Sequence, residues 1–532
     1  MTCCTTQPRR ERRIERLLTI GLVLATAPLF VLAHHLDPSA PHAGVPGWWG
    51  WIDQSRYIEA ARAWASLSLD PARHWYFPGY PLLAAPFMHL APDDPFYGPD
   101  LLCLLAASWL FAALGPRLAP HLPGARPAAA LVFLAQLVLS RPMLRGFVEP
   151  WTTTPAVPLA FASLLLAFRF QDRPDARAAA ALGLAAAAAL PFRPVDAVLL
   201  AAVMAVFAAV CLAAARPDWR RVASVVAAGT AGAAVPVLLT GALHLAVHGW
   251  TLGGYLAESR AVGFEWRLLP LRWVIIAAAA DPLLDGQRSL SQAFVWIIPG
   301  LAGMASCLAV VHGRLLARHI VTIAAALAHV ALYLSYRDLE PQGLMRFGNY
   351  HYFMWPILLL GLYAALLIPL AWPARHAFRA WSLGIGMVFL LFSWQARWTP
   401  APGYPRQPEV KTAARLTLDG GLHALSDAIL VHARGDFDAV YFAPHRLDAG
   451  QFAGRANVDF KLWPIDGGFL LSLRRPLLDQ PLALSLTPAV TLDPAVPPSI
   501  LRAQVVPALP WWIRSTLQPG PAGPASDRSI PE

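Results

Sequence analysis

The feature that most constrains this chain is a succession of apolar runs, about eleven of them, each near the roughly 17–25 residues that carry a helix across hydrocarbon. They cover approximately residues 17–35, 99–116, 127–142, 150–168, 177–191, 195–214, 222–247, 291–311, 319–335, 351–371 and 380–395. Hydrophobic residues make up 57% of the 532 and charged residues only 14%, where a soluble domain carries roughly 25% charged. So little polar surface does not cover a water-soluble core, and the expectation is an all-α polytopic membrane protein. The same numbers exclude a disordered chain, a disulfide scaffold and a coiled coil.

The charge of +10 is almost all arginine, because Lys411 and Lys461 are the only lysines. Its distribution sets an orientation. Five arginines precede Leu17, so residues 1–16 read as a basic cytoplasmic N-terminus. Val31-Leu32-Ala33 would pass as a cleavage site, but the further apolar runs favour a retained signal-anchor. Arg117 and Arg126, then Arg169, Arg173 and Arg177, then Arg216, Arg220 and Arg221, then Arg314 and Arg318, then Arg375 and Arg379 all fall in short returns on the N-terminal side. That is the positive-inside pattern, and nucleic acid is not an expected partner. The long polar insertions 36–98, 248–290 and 336–350 fall on the opposite side. Cys103, Cys211 and Cys307 stand alone in apolar runs, with no metal-ligand or redox spacing.

The expected organisation is a multi-span region over 17–395 with a large first outer loop at 36–98, and a small extracytoplasmic domain over 396–518. Short runs at Ala428–His432, Ala439–Phe442, Phe469–Leu473 and Leu482–Leu486, separated by Gly, Pro and Asp, give that domain an α/β or mostly-β character. Residues 519–532 form a Pro/Gly/Ser tail expected to be disordered. The proline-rich stretch 78–90 reads as a further short or re-entrant segment.

The first loop contains WIDQSRYIEAARAW at 51–64 and HWYFPGYPLLAAPF at 74–87. Tyr57, Ala60, Ala61 and Trp64 share one helical face and Ser55, Glu59, Arg62 and Ser66 the other, the pattern of a helix lying along a membrane surface. Asp53 stands at its start. A carboxylate there caps exposed N–H groups; it is also placed to act as a general base at the water–lipid boundary.

These two segments together resemble the first periplasmic loop of GT-C membrane glycosyltransferases, the group of the protein O-mannosyltransferases and the lipid A aminoarabinose transferases. The resemblance covers roughly the first 200 residues as a loop pattern and the rest through architecture. It implies an inverting transfer of a sugar from a polyprenyl-phosphate donor to an envelope lipid or glycan acceptor, on the periplasmic side of a bacterial inner membrane, with Asp53 as base. The mannosyltransferases carry two adjacent acids in this loop, whereas Gln54 follows Asp53 here, so protein mannosylation is disfavoured.

Glu149, the acid of the next outer loop, is a second expected site residue, weighed against a simple pairing with Arg145. Asp53 and Glu149 together would suit Mg²⁺ or Mn²⁺. Arginine forks suit a lipid phosphate, and the candidates are Arg193, Arg346, Arg260 and Arg73, with Arg267 and Arg337 behind them. The alternative for Arg193 is an ion pair with Asp196. Arg56, Tyr57, Tyr76 and His351 are expected to line the substrate site; the bland account of the cluster around His351 is an interfacial aromatic belt. Asp93-Asp94 reads as a turn. A transporter or flippase would need ionisable residues in mid-span and paired halves, which the sequence does not offer. A polysaccharide polymerase or ligase of another membrane fold would work through Arg260, Glu265 and Arg267.

Overall fold

The computed structural model describes residues 9–37, 49, 52–264, 266, 269–278, 289–336, 339, 344 and 348–371, together with seven short strands between 430 and 501. Two compact units divide the chain. One comprises Met1–Ala257, Ala293–Tyr333 and Tyr350–Thr399, the other Glu258–Gln292, Leu334–Asn349 and Pro400–Glu532.

In the first unit, α1 (Arg9–Leu24) and α2 (Thr26–Leu36) follow each other almost directly. Two short helices, α3 (Ile52–Ala65) and α4 (Gly79–Ala84), belong to the first loop. The bundle continues through α5 (Tyr97–Leu118), α6 (Ala125–Leu139), α7 (Arg141–Val148), α8 (Thr153–Asp172), α9 (Ala176–Ala187), α10 (Pro194–Ala215) and α11 (Trp219–His248). Next in sequence are α12 (Gly253–Val262), which runs from the first unit into the second, the short α13 (Leu269–Arg272) of the second unit, and α14 (Leu290–Ala293) at its end; α15 (Ile297–Val310), α16 (Gly313–Ser335) and α17 (Met354–Ala371) follow. Among the described residues seven helices are long and apolar enough to cross a membrane, or eight when a bent pair counts as one span. This is the helical architecture of a membrane protein.

The run at 127–142 is that bent pair. Ser140 stops α6 and its hydroxyl accepts from Met143 N at 3.3 Å, capping α7, while Pro142 suits the first turn of the new helix. The two axes meet at 95°. The run at 177–191 also shortens, because α9 ends at Ala187 and a turn leads to Pro191. The expected span at 380–395 lies outside the described residues.

Burial sorts the helices. Of the most apolar stretch of α17, 89% is buried, against 11% for α11. Val235, Leu238 and Leu239 of α11 and Val198, Val206 and Val210 of α10 are exposed. Aliphatic faces of that extent are stable against hydrocarbon rather than water. Helix contacts use small residues, as expected where apolar side chains gain nothing by leaving lipid. A Cβ on Gly232 of α11 would stand 2.1 Å from Ala180 O of α9.

The bundle has two chemically distinct ends. At one, Arg117 pairs with Asp172 at 2.7 Å, Arg318 Nε donates to Gln171 at 3.0 Å, and Arg221 reaches Pro174 O at 3.3 Å. Glu15 accepts from Gly124 N at the same end. The described arginine-bearing returns around Arg117, Asp172, Arg221 and Arg318 therefore gather together, the return with Arg375 and Arg379 lies outside the described residues, and the first loop lies at the other ends of the same helices.

In the second unit, Phe264 and Tyr336 form an antiparallel bridge, and Arg272 Nη1 donates to Leu334 O and Tyr336 O. Strands β1 (Leu430–His432), β2 (Phe437–Ala443), β3 (Phe452–Ala453), β4 (Phe460–Ile465), β5 (Gly468–Arg474), β6 (Ser485–Leu486) and β7 (Ser499–Leu501) are all antiparallel where they pair. The sheet runs β1-β2-β5-β4 with β7 also on β2, and β3 pairs β6. Strands β1, β2, β5 and β6 fall on the four runs read from the sequence. Between β4 and β5 stands Asp466-Gly467, a pair suited to a two-residue hairpin.

The close approach of α9 and α11 makes a test. Gly232→Val forces the two helices apart and is expected to cost about 1–3 kcal/mol, read as a lower melting temperature in detergent. Gly241→Ala, with open space around it, is expected to leave that temperature unchanged or raise it.

Candidate active site

Asp53 is the second residue of α3, inside its first turn, and not its cap. The positive end of the helix dipole still favours its charge there. Its carboxylate Oδ1 accepts a 2.6 Å hydrogen bond from the Tyr76 hydroxyl. The surrounding protein, and then the Asp53 charge, push the Tyr76 phenol well above its usual range, so it stays a donor at any physiological pH. The same two causes hold the Tyr57 hydroxyl protonated. The Tyr57 and Tyr76 rings lie 4.7 Å apart, and Tyr76 meets Tyr255 of α12 at 4.9 Å.

The apolar stripe of α3 does not lie on lipid. Tyr57, Ile58 and Ala61 are buried against Tyr80, Ala84 and Phe96, so the loop folds on itself. Tyr80 fixes the loop to the bundle by donating to the buried Asp100 of α5, with contacts of 2.9 and 3.0 Å to its two oxygens. Gly79 makes the decisive join. Its N–H donates to Pro191 O at 2.8 Å, and a Cβ there would stand 2.7 Å from that oxygen. The glycine of the YFPGYP segment thus lets the first loop dock on the turn that carries Arg193.

Arg193 precedes α10, with Pro194 at the first helical position. It is 7% exposed. Its Nε is 3.2 Å from both Asp196 Oδ2 and the Tyr333 hydroxyl, and Nη1 donates to Thr152 Oγ1 at 3.1 Å. Nη2 also donates to Tyr333, whose hydroxyl in turn donates to Asp196 Oδ1. Burial works against the guanidinium charge, but Tyr333 and Asp196 more than offset it and hold the group protonated. Tyr352 stands beside it, with the guanidinium carbon 4.8 Å from its ring centre.

His329 completes the cage. Its Nε2 is 2.8 Å from Tyr352 O and its Nδ1 accepts from Trp355 Nε1 at 3.3 Å. An indole only donates, so this imidazole is neutral with its proton on Nε2. His351 is buried and stacks on Trp151 at 4.0 Å, with Nδ1 3.0 Å from Thr153 Oγ1. It is a core residue beside the Arg193 cage, not part of an interfacial belt.

Glu149 belongs to a neighbouring group. It is 1% exposed, and its Oε2 and Asp37 Oδ2 each lie 3.3 Å from Arg145 Nε. One bond ties this group to Asp53's helix, since Gln54 Nε2 donates to Pro150 O at 3.0 Å. Asp53 accepts from Tyr76, and Glu149 faces Arg145. Among the described residues no three His, Cys, Asp or Glu side chains gather as metal ligands.

Arg56 lies over the Trp75 ring at 3.9 Å. Arg73 pairs with Asp70 at 3.7 Å in an exposed turn, which gives it no part in the cage. Arg260 is exposed on α12, in the second unit. Arg346, Arg267, Arg337 and Glu265 lie outside the described residues. Asp93-Asp94 is structural, as expected, since Asp94 binds Phe96 N at 3.1 Å and His34 at 2.8 Å. Sequence reasoning missed Thr152, Tyr255, Tyr333 and His329, which come from distant helices and share no local pattern with Arg193.

No family model and no curated protein matches the chain. The functional reading therefore rests on the site's own chemistry.

Two substitutions test the assembly of the site. Asp196→Ala strands Arg193 without its carboxylate and is expected to destabilise by about 3–5 kcal/mol. Gly79→Ala is expected to unseat the first loop at about 1–3 kcal/mol, seen as faster proteolysis within residues 66–78 along with a lower melting temperature.

Proposed function

We propose that the chain is a membrane glycosyltransferase of the GT-C kind, moving a sugar from a polyprenyl-phosphate donor to an envelope lipid or glycan acceptor, with inversion. The observation that carries this reading is the Asp53 carboxylate, held by Tyr76 in a half-buried site, on a loop that docks through Gly79 on the turn carrying the buried cation Arg193. A base and a fixed positive charge are the two groups that such a transfer needs from a protein.

In this reading Asp53 takes the proton from an acceptor hydroxyl as its oxygen bonds to the anomeric carbon. The bond from that carbon to the phosphate oxygen breaks on the opposite face, and the lipid phosphate leaves. Arg193 supplies positive charge where negative charge develops. The internal bonds engage three of the five N–H groups of its fork, which leaves donors for a phosphate oxygen. Tyr76 orients the base.

The location follows the same logic. The arginine-rich end faces the cytoplasm by the positive-inside rule, which puts Asp53 at the periplasmic face of a bacterial inner membrane.

Asp53→Asn keeps the size and hydrogen-bonding capacity of the side chain but removes the base. In a strain lacking the chromosomal gene, the variant is expected to lose transfer by about 10²–10⁴-fold, read by mass spectrometry of envelope lipids and glycans, with its melting temperature unchanged. Tyr76→Phe is expected to lower the rate by about tenfold through loss of one charge-assisted bond. Full transfer by Asp53→Asn would remove Asp53 from the mechanism.

A further inference from the structure

In the arginine-rich half of the first unit a long groove of about 800 Å³ runs between α10 and α16. Val206, Phe207 and Val210 line one side, and Ala317, Ile320 and Val321 the other. Each set repeats at three or four positions, so each is a single helical face. Phe207 and Val321 are buried, whereas Val206, Val210 and Ile320 are exposed, and the two helices scarcely touch. The lining of α10 extends from Ala202 to Ala215, a rise of about 20 Å. That is the scale of one leaflet, half of a hydrocarbon core roughly 30 Å thick.

The polar lining sits at the basic end, where Gln171 and Asp172 of α8 meet Arg314 of α16. The neighbouring groups are already matched. Asp172 takes both Arg117 and Arg318, and Gln171 joins Arg318 to the backbone oxygen of Arg314. Arg314 itself is exposed, and among the described residues its guanidinium forms no ion pair. It stands within electrostatic reach of Cys211 on the facing helix, so this uncompensated charge overlooks the groove.

We propose that the groove holds one anionic phospholipid of the surrounding bilayer, with its phosphate on Arg314 and an acyl chain along α10 and α16. The length and aliphatic lining select the chain, and the volume lies within the roughly 300–1,000 Å³ of ordinary ligand pockets. The open cation selects the head. A guanidinium fork binds two phosphate oxygens at once, and a basic pocket between spanning helices suits acidic head groups. A zwitterionic lipid fills the same space but adds an ammonium to an arginine cluster. Two protein occupants fit the charge less well. The run at 380–395 follows Arg375 and Arg379, and a second copy presents the same arginine-rich end. This site lies apart from Asp53 and Arg193 and does not depend on the transfer reading.

The probes are palmitoyl-oleoyl phosphatidylglycerol and phosphatidylcholine, which share their chains and differ in head charge. Each is titrated into the delipidated full chain in detergent, and bound lipid is counted by native mass spectrometry. Phosphatidylglycerol is expected to bind about fivefold more tightly, the worth of one arginine near a lipid head. Arg314→Gln is expected to abolish that preference and leave phosphatidylcholine unchanged. Arg126→Gln, which removes an arginine lying over Trp109, is expected to keep it. Ala317→Phe fills the groove and is expected to weaken both lipids about tenfold. Should that variant lose its melting transition, Val206→Phe, at an exposed position, decides in its place.

Equal affinity for the two lipids in the wild type overturns the proposal, as does a preference that survives Arg314→Gln. Binding undiminished by the groove-filling variant also overturns it, and is the result expected where residues 380–395 or a second copy occupy the groove.

Discussion

A guanidinium buried among apolar helices demands a carboxylate, and the Arg193–Asp196 pair is the constraint around which this bundle is arranged. Desolvating either charge alone costs several kcal/mol. Together, with the Tyr333 hydroxyl shared between them, they form a closed set of bonds that draws on the turn after α9, the first turn of α10, the start of α8 through Thr152 and the outer part of α16. Tyr352 and Trp355 close it from the residues around the start of α17. The first loop then docks on that same turn through Gly79 and Pro191. The position of Asp53 follows from this chain of contacts, for α3 is packed on Tyr80 and Tyr80 on Asp100.

The two ends of the bundle solve different problems. At the arginine-rich end, charges meet charges in pairs open to solvent, where each contributes little to stability. At the other end Arg193, Asp196 and Glu149 are buried, and the groups around them are phenols and indoles. An aromatic setting of that kind excludes water while keeping hydroxyl and N–H donors at fixed positions, which is the environment that strengthens a single carboxylate or cation.

The architecture was legible because apolar length is a one-dimensional property. The described returns read from arginine placement do meet one another, and strands β1, β2, β5 and β6 coincide with apolar runs. Local exceptions had local causes: Ser140 and Pro142 broke one run, and α9 stopped at Ala187. The site was legible only in part. Asp196 lies three residues from Arg193 and could be read as its partner, and the Gly in YFPGYP marked a close approach without saying to what. Tyr333, 140 positions away from Arg193, left no trace in any window of sequence. The stripe on α3 pointed to lipid because amphipathicity reports an apolar neighbour, not its identity; Tyr80 and Phe96 supplied that neighbour instead.

Among the described helices, the one most enclosed by the others is also the last in sequence. Residues 349–371 deliver His351, Tyr352 and Trp355 to the Arg193 cage, and most of α17 is buried. Until the ribosome has passed that point, the preceding spans surround an unfilled centre in which the Arg193 charge lacks part of its enclosure. Closure from the C-terminal side completes the Arg193 cage only once every earlier described helix has been synthesised.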